Sequence, residues 1–136
     1  MLRTKINLRD IMDEDNVKSE CPIELAMQLI NKKWVIQLIR DMFFGKTRFN
    51  EFKEDKPNLS NRILSNCLKE MESNGLIIRN QISENNVEYT LSEKGQSLNK
   101  VLYELAMFTL DNDLHNKYYS DERKEELRSI FKNALL

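Results

Sequence analysis

Five polar side chains in the segment 60–71 could form hydrogen bonds with the base edges of a nucleic acid. They are Asn61, Arg62, Ser65, Asn66 and Lys69. An asparagine amide can both donate to and accept from a base, and an arginine guanidinium can make two parallel bonds to guanine. Asparagine and serine are poor helix formers, so helix stability alone does not explain them. Taken by itself, however, the segment is better explained as an ordinary amphipathic helix with a solvated face than as a nucleic-acid-binding helix.

The apolar residues of the same segment recur at the spacing of one helix face. They are Ile63, Leu64, Cys67, Leu68 and Met71. Ser60 has the type and position of an N-cap, and Gly75 suits the turn that ends a helix. The sequence therefore predicts a helix that packs its apolar side into a core and presents its polar side outward.

The charge of the chain is unevenly distributed. The 136 residues, enough for one domain, carry a formal net charge of −1. Residues 31–80 nevertheless hold ten lysines and arginines against six acidic residues, a local excess of +4. This excess coincides with the predicted helix, as the electrostatic footprint of a nucleic-acid-binding protein requires.

The composition argues against several function classes. No apolar run approaches the length that crosses a bilayer, so we expect no membrane contact. Cys21 and Cys67 lack metal-ligand spacing, which is typical of a cytoplasmic protein with free thiols. A single histidine, His115, and only three glycines leave no catalytic triad, metal site or phosphate-binding loop. We expect neither an enzyme nor a cofactor.

The order of predicted elements indicates a winged helix-turn-helix. Two helices joined by a short turn precede two strands, 76–82 and 87–91, which form a β-hairpin, the wing. The fold class is therefore mostly α with a small β-hairpin wing. Additional N- and C-terminal helices are expected to mediate dimerisation.

The remaining helices are predicted from their apolar periodicity. Residues 34–44 are apolar on most sides and should form the central helix of the core. A helix after Pro22 should bury a stripe made of Ile23, Ala26, Met27 and Ile30. The last helix should bury a stripe made of Leu127, Ile130, Phe131 and Ala134.

The segment 98–110 is too apolar for a lone surface helix, so we expect part of it to bury against another subunit. The predicted organisation is an N-terminal arm over 1–20, a DNA-binding domain over 21–110 and a C-terminal dimerisation helix within 111–136.

Six short motifs occur in the order in which one known family carries them. They are Cys21-Pro22-Ile23-Glu24, Lys33-Trp34, Arg48-Phe49-Asn50-Glu51-Phe52, Leu59 to Leu64, Leu68 to Ile77, and Val87 to Gly95. Over residues 21–110 the chain resembles the HxlR family of bacterial winged-helix transcription regulators, distant relatives of the MarR group. The resemblance implies a homodimer that binds a pseudo-palindromic operator in double-stranded DNA as repressor or activator.

A winged helix-turn-helix would place the five polar side chains in the major groove, with the N-cap Ser60 touching phosphate. The cations expected to neutralise phosphates are Arg48, Lys46, Lys56, Lys69 and Arg79. The family usually has prolines and an arginine in the wing, whereas this chain has Ile82-Ser83-Glu84-Asn85-Asn86. We therefore expect the wing to be a weak reader of the minor groove. Two glycines that usually precede Lys33-Trp34 are replaced by Asn31 and Lys32.

Cys21 allows two interpretations. It precedes Pro22 at a predicted helix N-terminus, where a thiolate is stabilised. In some HxlR relatives a cysteine at the equivalent place senses oxidants or electrophiles; the alternative is a small residue that fits before the proline. A small-molecule effector is also left open. The rival function is a winged-helix protein-interaction module without sequence-specific DNA binding.

Overall fold

The structure, a computed structural model, describes residues 5–7 and 21–136. The predicted arm over 1–20 lies outside the described residues except for 5–7. The chain divides into two compact units, 1–32 and 33–136. In the first unit, helix α1 spans Pro22–Ile30 with Cys21 as its N-cap residue. No residue of α1 is buried, so the predicted buried stripe, of which Ile23 is 72% exposed, is wrong.

The second unit has the predicted order of elements and confirms the winged helix-turn-helix. Its helices and strands are α2 (Val35–Phe43), α3 (Phe49–Lys53), α4 (Asn61–Ser73), β1 (Ile77–Ser83), β2 (Asn86–Leu91), α5 (Glu93–Gln96), α6 (Asn99–Asp111), a 3₁₀ turn (Leu114–Asn116) and α7 (Asp121–Leu135).

The core of this unit forms around α2, the predicted central helix. Leu38 and Ile39 of α2 are completely buried, as is Phe52 of α3. The ring of Phe52 meets Tyr89 of β2 edge to face, with the ring centroids 6.4 Å apart. This apolar cluster holds α3 and the hairpin against the central helix, and burial of such side chains is the main stabilising contribution.

The wing is a two-stranded antiparallel sheet. Its strands pair from Ile77 with Leu91 out to Ser83 with Asn86, and an irregularity lies between Gln81 and Ser83. The carbonyl oxygen of Thr47 accepts a hydrogen bond from the Tyr89 N–H at 2.7 Å. The backbone at Thr47 therefore lies beside β2.

After β2 the chain forms two helices, α5 and α6, instead of one continuous helix. Ser92 caps α5 by accepting a bond from the Gly95 N–H at 3.0 Å. A Cβ atom added at Gly95 would lie 2.1 Å from the carbonyl oxygen of Leu76, so the helix touches the backbone at the base of the wing. Only glycine allows this approach. The same carbonyl accepts the Ser92 N–H at 3.1 Å.

Helices α6 and α7 form an antiparallel pair. The Asn99 side chain at the start of α6 donates to the Leu135 carbonyl at the end of α7 at 2.8 Å, and Arg128 pairs with Asp111 at 2.8 Å. The predicted buried stripe of α7 is partly wrong, because Ile130 is 42% exposed and Leu135, outside that stripe, is buried.

Asp113 fixes the connection between α6 and α7. Burial opposes the charged form, yet backbone N–H bonds from Tyr118 and Tyr119 and the nearby Lys124 ammonium hold the pKa of Asp113 below its usual range. The Asp113 carboxylate accepts the Tyr119 N–H at 2.8 Å. Lys124 also donates to the Asp113 carbonyl at 2.8 Å. These bonds order the connection and so fix how the two helices meet.

Candidate nucleic-acid interface

Helix α4 is anchored by one face and free on the other. Leu64, Leu68 and Met71 are buried against the rest of the unit. The hydroxyl of Ser60 caps the helix by accepting the Ile63 N–H at 3.1 Å, as predicted. Ile63, predicted to belong to the buried face, is 47% exposed.

The polar face of α4 is open to solvent. Asn61, Arg62, Asn66 and Lys69 are exposed, and Ser65 is half-buried. Five hydrogen-bonding side chains therefore lie along more than two turns of one helix, which is the geometry that reading base edges in a major groove requires.

Lys53 joins this surface, although it was not among the predicted site residues. Its ammonium donates to the side-chain oxygen of Asn61 from the end of α3. The two residues are eight positions apart across the α3–α4 turn, a separation that a helical period cannot reveal. The spacing typical of a helix-turn-helix was the only signal that could have found it.

Lys56 corrects the sequence-based expectation of a phosphate contact. Its side chain is only 2% exposed and forms an ion pair with the equally buried Asp41 of α2. The Lys56 ammonium also donates to the Phe52 carbonyl at 2.9 Å and to the Asp55 carboxylate at 2.9 Å. A lysine whose three N–H bonds are all used inside the protein cannot reach a phosphate.

The ion pair is the centre of a larger charge cluster, which we call the α2–α3 cluster. Its members are Arg40, Asp41, Lys46, Asp55 and Lys56. Arg40 donates to Asp41 through Nε at 3.2 Å and Nη2 at 2.9 Å. The Lys56 hydrogen bond lowers the pKa of Asp55 and so favours its charged form. Three cations face two carboxylates, so the cluster carries one net positive charge.

Arg48 lies just before α3 and is 58% exposed on its side chain. The backbone N–H of Arg48 donates to the Glu51 carboxylate at 2.9 Å, and the backbone N–H of Thr47 donates to the same oxygen at 3.2 Å. These two backbone hydrogen bonds, of which the one from Thr47 contributes more, lower the pKa of Glu51. The guanidinium lies 3.9 Å from the Glu88 carboxylate. Arg48 is thus available at the surface but shares its charge with the wing.

The other two predicted phosphate contacts differ in exposure. Arg79 of β1 is exposed. The Lys46 side chain is 26% exposed and its ammonium lies 3.6 Å from the Asp55 carboxylate. The wing tip carries the exposed Glu84 next to Asn85. The wing therefore offers a cation at its base and a negative charge at its tip.

The two thiols lie in different surroundings. Burial, and to a smaller extent the Glu70 carboxylate, raises the pKa of Cys67 to about 11, so its thiol stays protonated at neutral pH. Its sulfur contacts that of Met71 at 3.8 Å. Cys21 is a half-buried free thiol at the N-terminus of α1. The half-buried, protonated Cys67 thiol is therefore a poor nucleophile at neutral pH.

No helix in the part of the chain that the structure describes is both long and apolar enough to cross a membrane. Over residues 5–7 and 21–136, no three histidine, cysteine or acidic side chains gather in an arrangement that could hold a metal ion.

Comparison with known proteins finds transcriptional regulators among those that resemble this chain. The profile of the HxlR-like helix-turn-helix family matches residues 29–117. The HTH-type transcriptional regulator YvaP of Bacillus subtilis is 35% identical over 99 residues, which cover 71% of this chain and 92% of YvaP.

Two solved regulators share the fold. The reduced form of the redox regulator HypR superposes with a TM-score of 0.65 and 31% identity over 73% of this chain and 100% of HypR. Quinone-bound YodB from B. subtilis superposes with a TM-score of 0.58 and 35% identity, covering 66% of this chain and 97% of YodB.

Replacing Lys56 by alanine should destabilise the protein by about 3 kcal/mol, because Asp41 would lose its buried partner. Urea unfolding followed by circular dichroism measures this loss. Lys69→Ala, a change on the exposed face of α4, is the matched control and should stay within about 0.5 kcal/mol of the wild type. Equal stability of the two variants would show that the buried ion pair contributes nothing.

Proposed function

Because this chain belongs to the HxlR-like helix-turn-helix family of transcriptional regulators, we propose that it binds a pseudo-palindromic operator in double-stranded DNA as a homodimer. The observation that carries the proposal is the solvent-exposed polar face of α4, the recognition helix. A regulator of this kind needs one helix that is held by the core and still free to enter a groove.

The recognition helix would read bases through three of its side chains. Arg62 can bind guanine with two parallel bonds, and Asn61 or Asn66 can pair with adenine. Ser65 and Lys69 extend the same face toward the following turn of the helix. Each good bidentate contact discriminates against a wrong base by about 1–3 kcal/mol.

The positioning contacts would come from around this helix. Arg48, Lys69 and Arg79 are exposed cations on three different elements, and the capped N-terminus at Ser60 favours an anion. Lys46 would add a weaker contribution, since Asp55 holds its ammonium. With Lys56 buried, the phosphate contacts are fewer than the sequence suggested.

Arg62→Ala should cost about 1–3 kcal/mol of binding and relax specificity at one base pair per half-site, because the guanidinium is the bidentate group of the face. The test is a gel shift on fragments that the wild type selects from a random DNA pool, followed by single-base-pair variants. Arg123→Ala, which removes an exposed arginine from α7, is the matched control.

If Arg62→Ala binds every fragment as the wild type does, the assignment of the reading face is wrong. If the wild type selects no DNA fragment and any residual DNA affinity does not fall with salt, the protein is better explained as a winged-helix protein-interaction module.

The proposal of a homodimer rests on an apolar patch on α6. Val101, Leu105 and Phe108 are 42%, 51% and 69% exposed and lie on one side of the helix. Exposed apolar side chains that adjoin one another mark an interaction surface. A two-fold axis through such a patch would present two copies of α4 to half-sites about one turn of DNA apart.

Phe108→Arg should convert the dimer into a monomer, because a guanidinium cannot be buried unpaired at the centre of an apolar contact. Sedimentation equilibrium at micromolar concentration should give twice the chain mass of 16.2 kDa for the wild type and the chain mass for the variant. Ile82→Arg on the wing, at an apolar residue that is 56% exposed, is the control and should stay dimeric. A monomeric wild type would contradict the proposal.

We further propose that Cys21 makes DNA binding responsive to electrophiles. HypR is described as a redox regulator and YodB is known with a bound quinone, and both share this fold. In this chain Cys21 is a free, half-buried thiol at the N-terminus of α1. Addition to a quinone would form a thioether at the Cys21 sulfur and pass the thiol proton to a quinone oxygen.

DNA retention by the Cys21→Ser variant should not change at a benzoquinone dose that releases or strengthens DNA binding by the wild type. Cys67→Ser should respond like the wild type, because the pKa of Cys67 near 11 keeps its thiol unreactive. Gel shifts with and without quinone, with mass spectrometry of the adduct, decide the outcome. A full response in Cys21→Ser excludes thiol sensing at this residue.

A further inference from the structure

A cleft between α2, α6 and α7 lies apart from the DNA-reading face. Its volume is about 220 Å³. The apolar walls are formed by Ile36, Leu102, Leu105, Ala106, Phe131 and Leu135. A cavity of roughly 150 Å³ is known to hold benzene, so this cleft can take a single ring or a short branched chain but not a drug-sized ligand.

Two polar side chains, Gln37 and Arg40, complete the lining. The Gln37 amide nitrogen donates to the Lys33 carbonyl at 3.3 Å. The Gln37 amide oxygen can therefore accept a hydrogen bond from another partner. Arg40 donates to Asp41 through Nε and Nη2, and its Nη1 donates to no group within the described residues. An apolar cleft with a guanidinium at its edge favours a ligand with an apolar body and an anionic end.

The local charge supports an anion rather than a neutral ligand. Arg40 belongs to the α2–α3 cluster, whose net charge is +1. A carboxylate bound to Arg40 would bring that cluster to neutrality. An ammonium ligand would instead add to an existing excess of positive charge.

We propose that this cleft binds a small apolar monocarboxylate, with its carboxylate on Arg40 and its apolar body against α6 and α7. As an effector site, a role that rests on the proposed function, it would act through Asp41. Arg40 and Lys56 both bind this carboxylate, and Lys56 precedes the Ser60 cap of the recognition helix by four residues. A ligand that draws Arg40 away from Asp41 changes the charge around the Asp41–Lys56 ion pair, which holds the turn before α4.

Benzoate is the probe, and neutral benzyl alcohol is its matched control. Isothermal calorimetry on the full chain should show benzoate binding more tightly than benzyl alcohol. Arg40→Gln should weaken benzoate binding by about tenfold or more and leave benzyl alcohol unchanged, because the charged hydrogen bond to the carboxylate is lost while the apolar walls of the cleft remain. Arg123→Gln, a charge removal on the exposed side of α7, should bind benzoate as the wild type does.

Ala106→Leu provides the second arm, because it fills the cleft without touching the charge. It should abolish binding of both compounds while thermal unfolding shows a folded protein. The site is disproved if the wild type does not bind benzoate, if Arg40→Gln binds it equally, or if Ala106→Leu keeps it.

Gel shifts with and without benzoate then test the effector role. A changed DNA affinity in the wild type that is lost in Arg40→Gln supports the role. Calorimetric binding with unchanged DNA affinity overturns the effector role and leaves DNA recognition by α4 standing. Absence of DNA binding contradicts the proposed function and leaves the calorimetric result on the cleft intact.

Discussion

The buried ion pair between Asp41 and Lys56 is the constraint around which the helix-turn-helix is organised. Two charges taken out of water are tolerated only when their remaining hydrogen bonds are satisfied. Here Arg40, Asp55 and the Phe52 carbonyl supply those bonds. Meeting these requirements brings α2, the end of α3 and the following turn together. The start of α4, the proposed recognition helix, is therefore placed by electrostatics as well as by apolar packing.

The elements with strong local signals could be predicted from the sequence. The limits of α4 follow from the Ser60 cap, the apolar spacing and Gly75, whose positive φ of 76° ends the helix. The hairpin follows from the alternation of residues around the turn at Glu84. In each case a short stretch of chain contains the physical cause of its own conformation.

What the sequence could not show depends on distant partners. Lys56 resembles a surface cation until Asp41, fifteen positions earlier, is found beside it. The break between α5 and α6 depends on the contact of Gly95 with the Leu76 carbonyl, across the whole hairpin. The exposure of Ile23 in α1 was equally invisible, because helical periodicity shows that a stripe exists and not what covers it. The polar face of α4 was predictable since its helix has only one apolar side.

The close contact at Gly95 has a mechanical consequence. The Leu76 carbonyl accepts the Ser92 N–H and lies directly against the Gly95 backbone, so no side chain separates the root of the hairpin from α5 at this point. A displacement of α5 would therefore move the root of the hairpin directly. The position of the wing and the packing of α5 are thus set together by one contact between backbones.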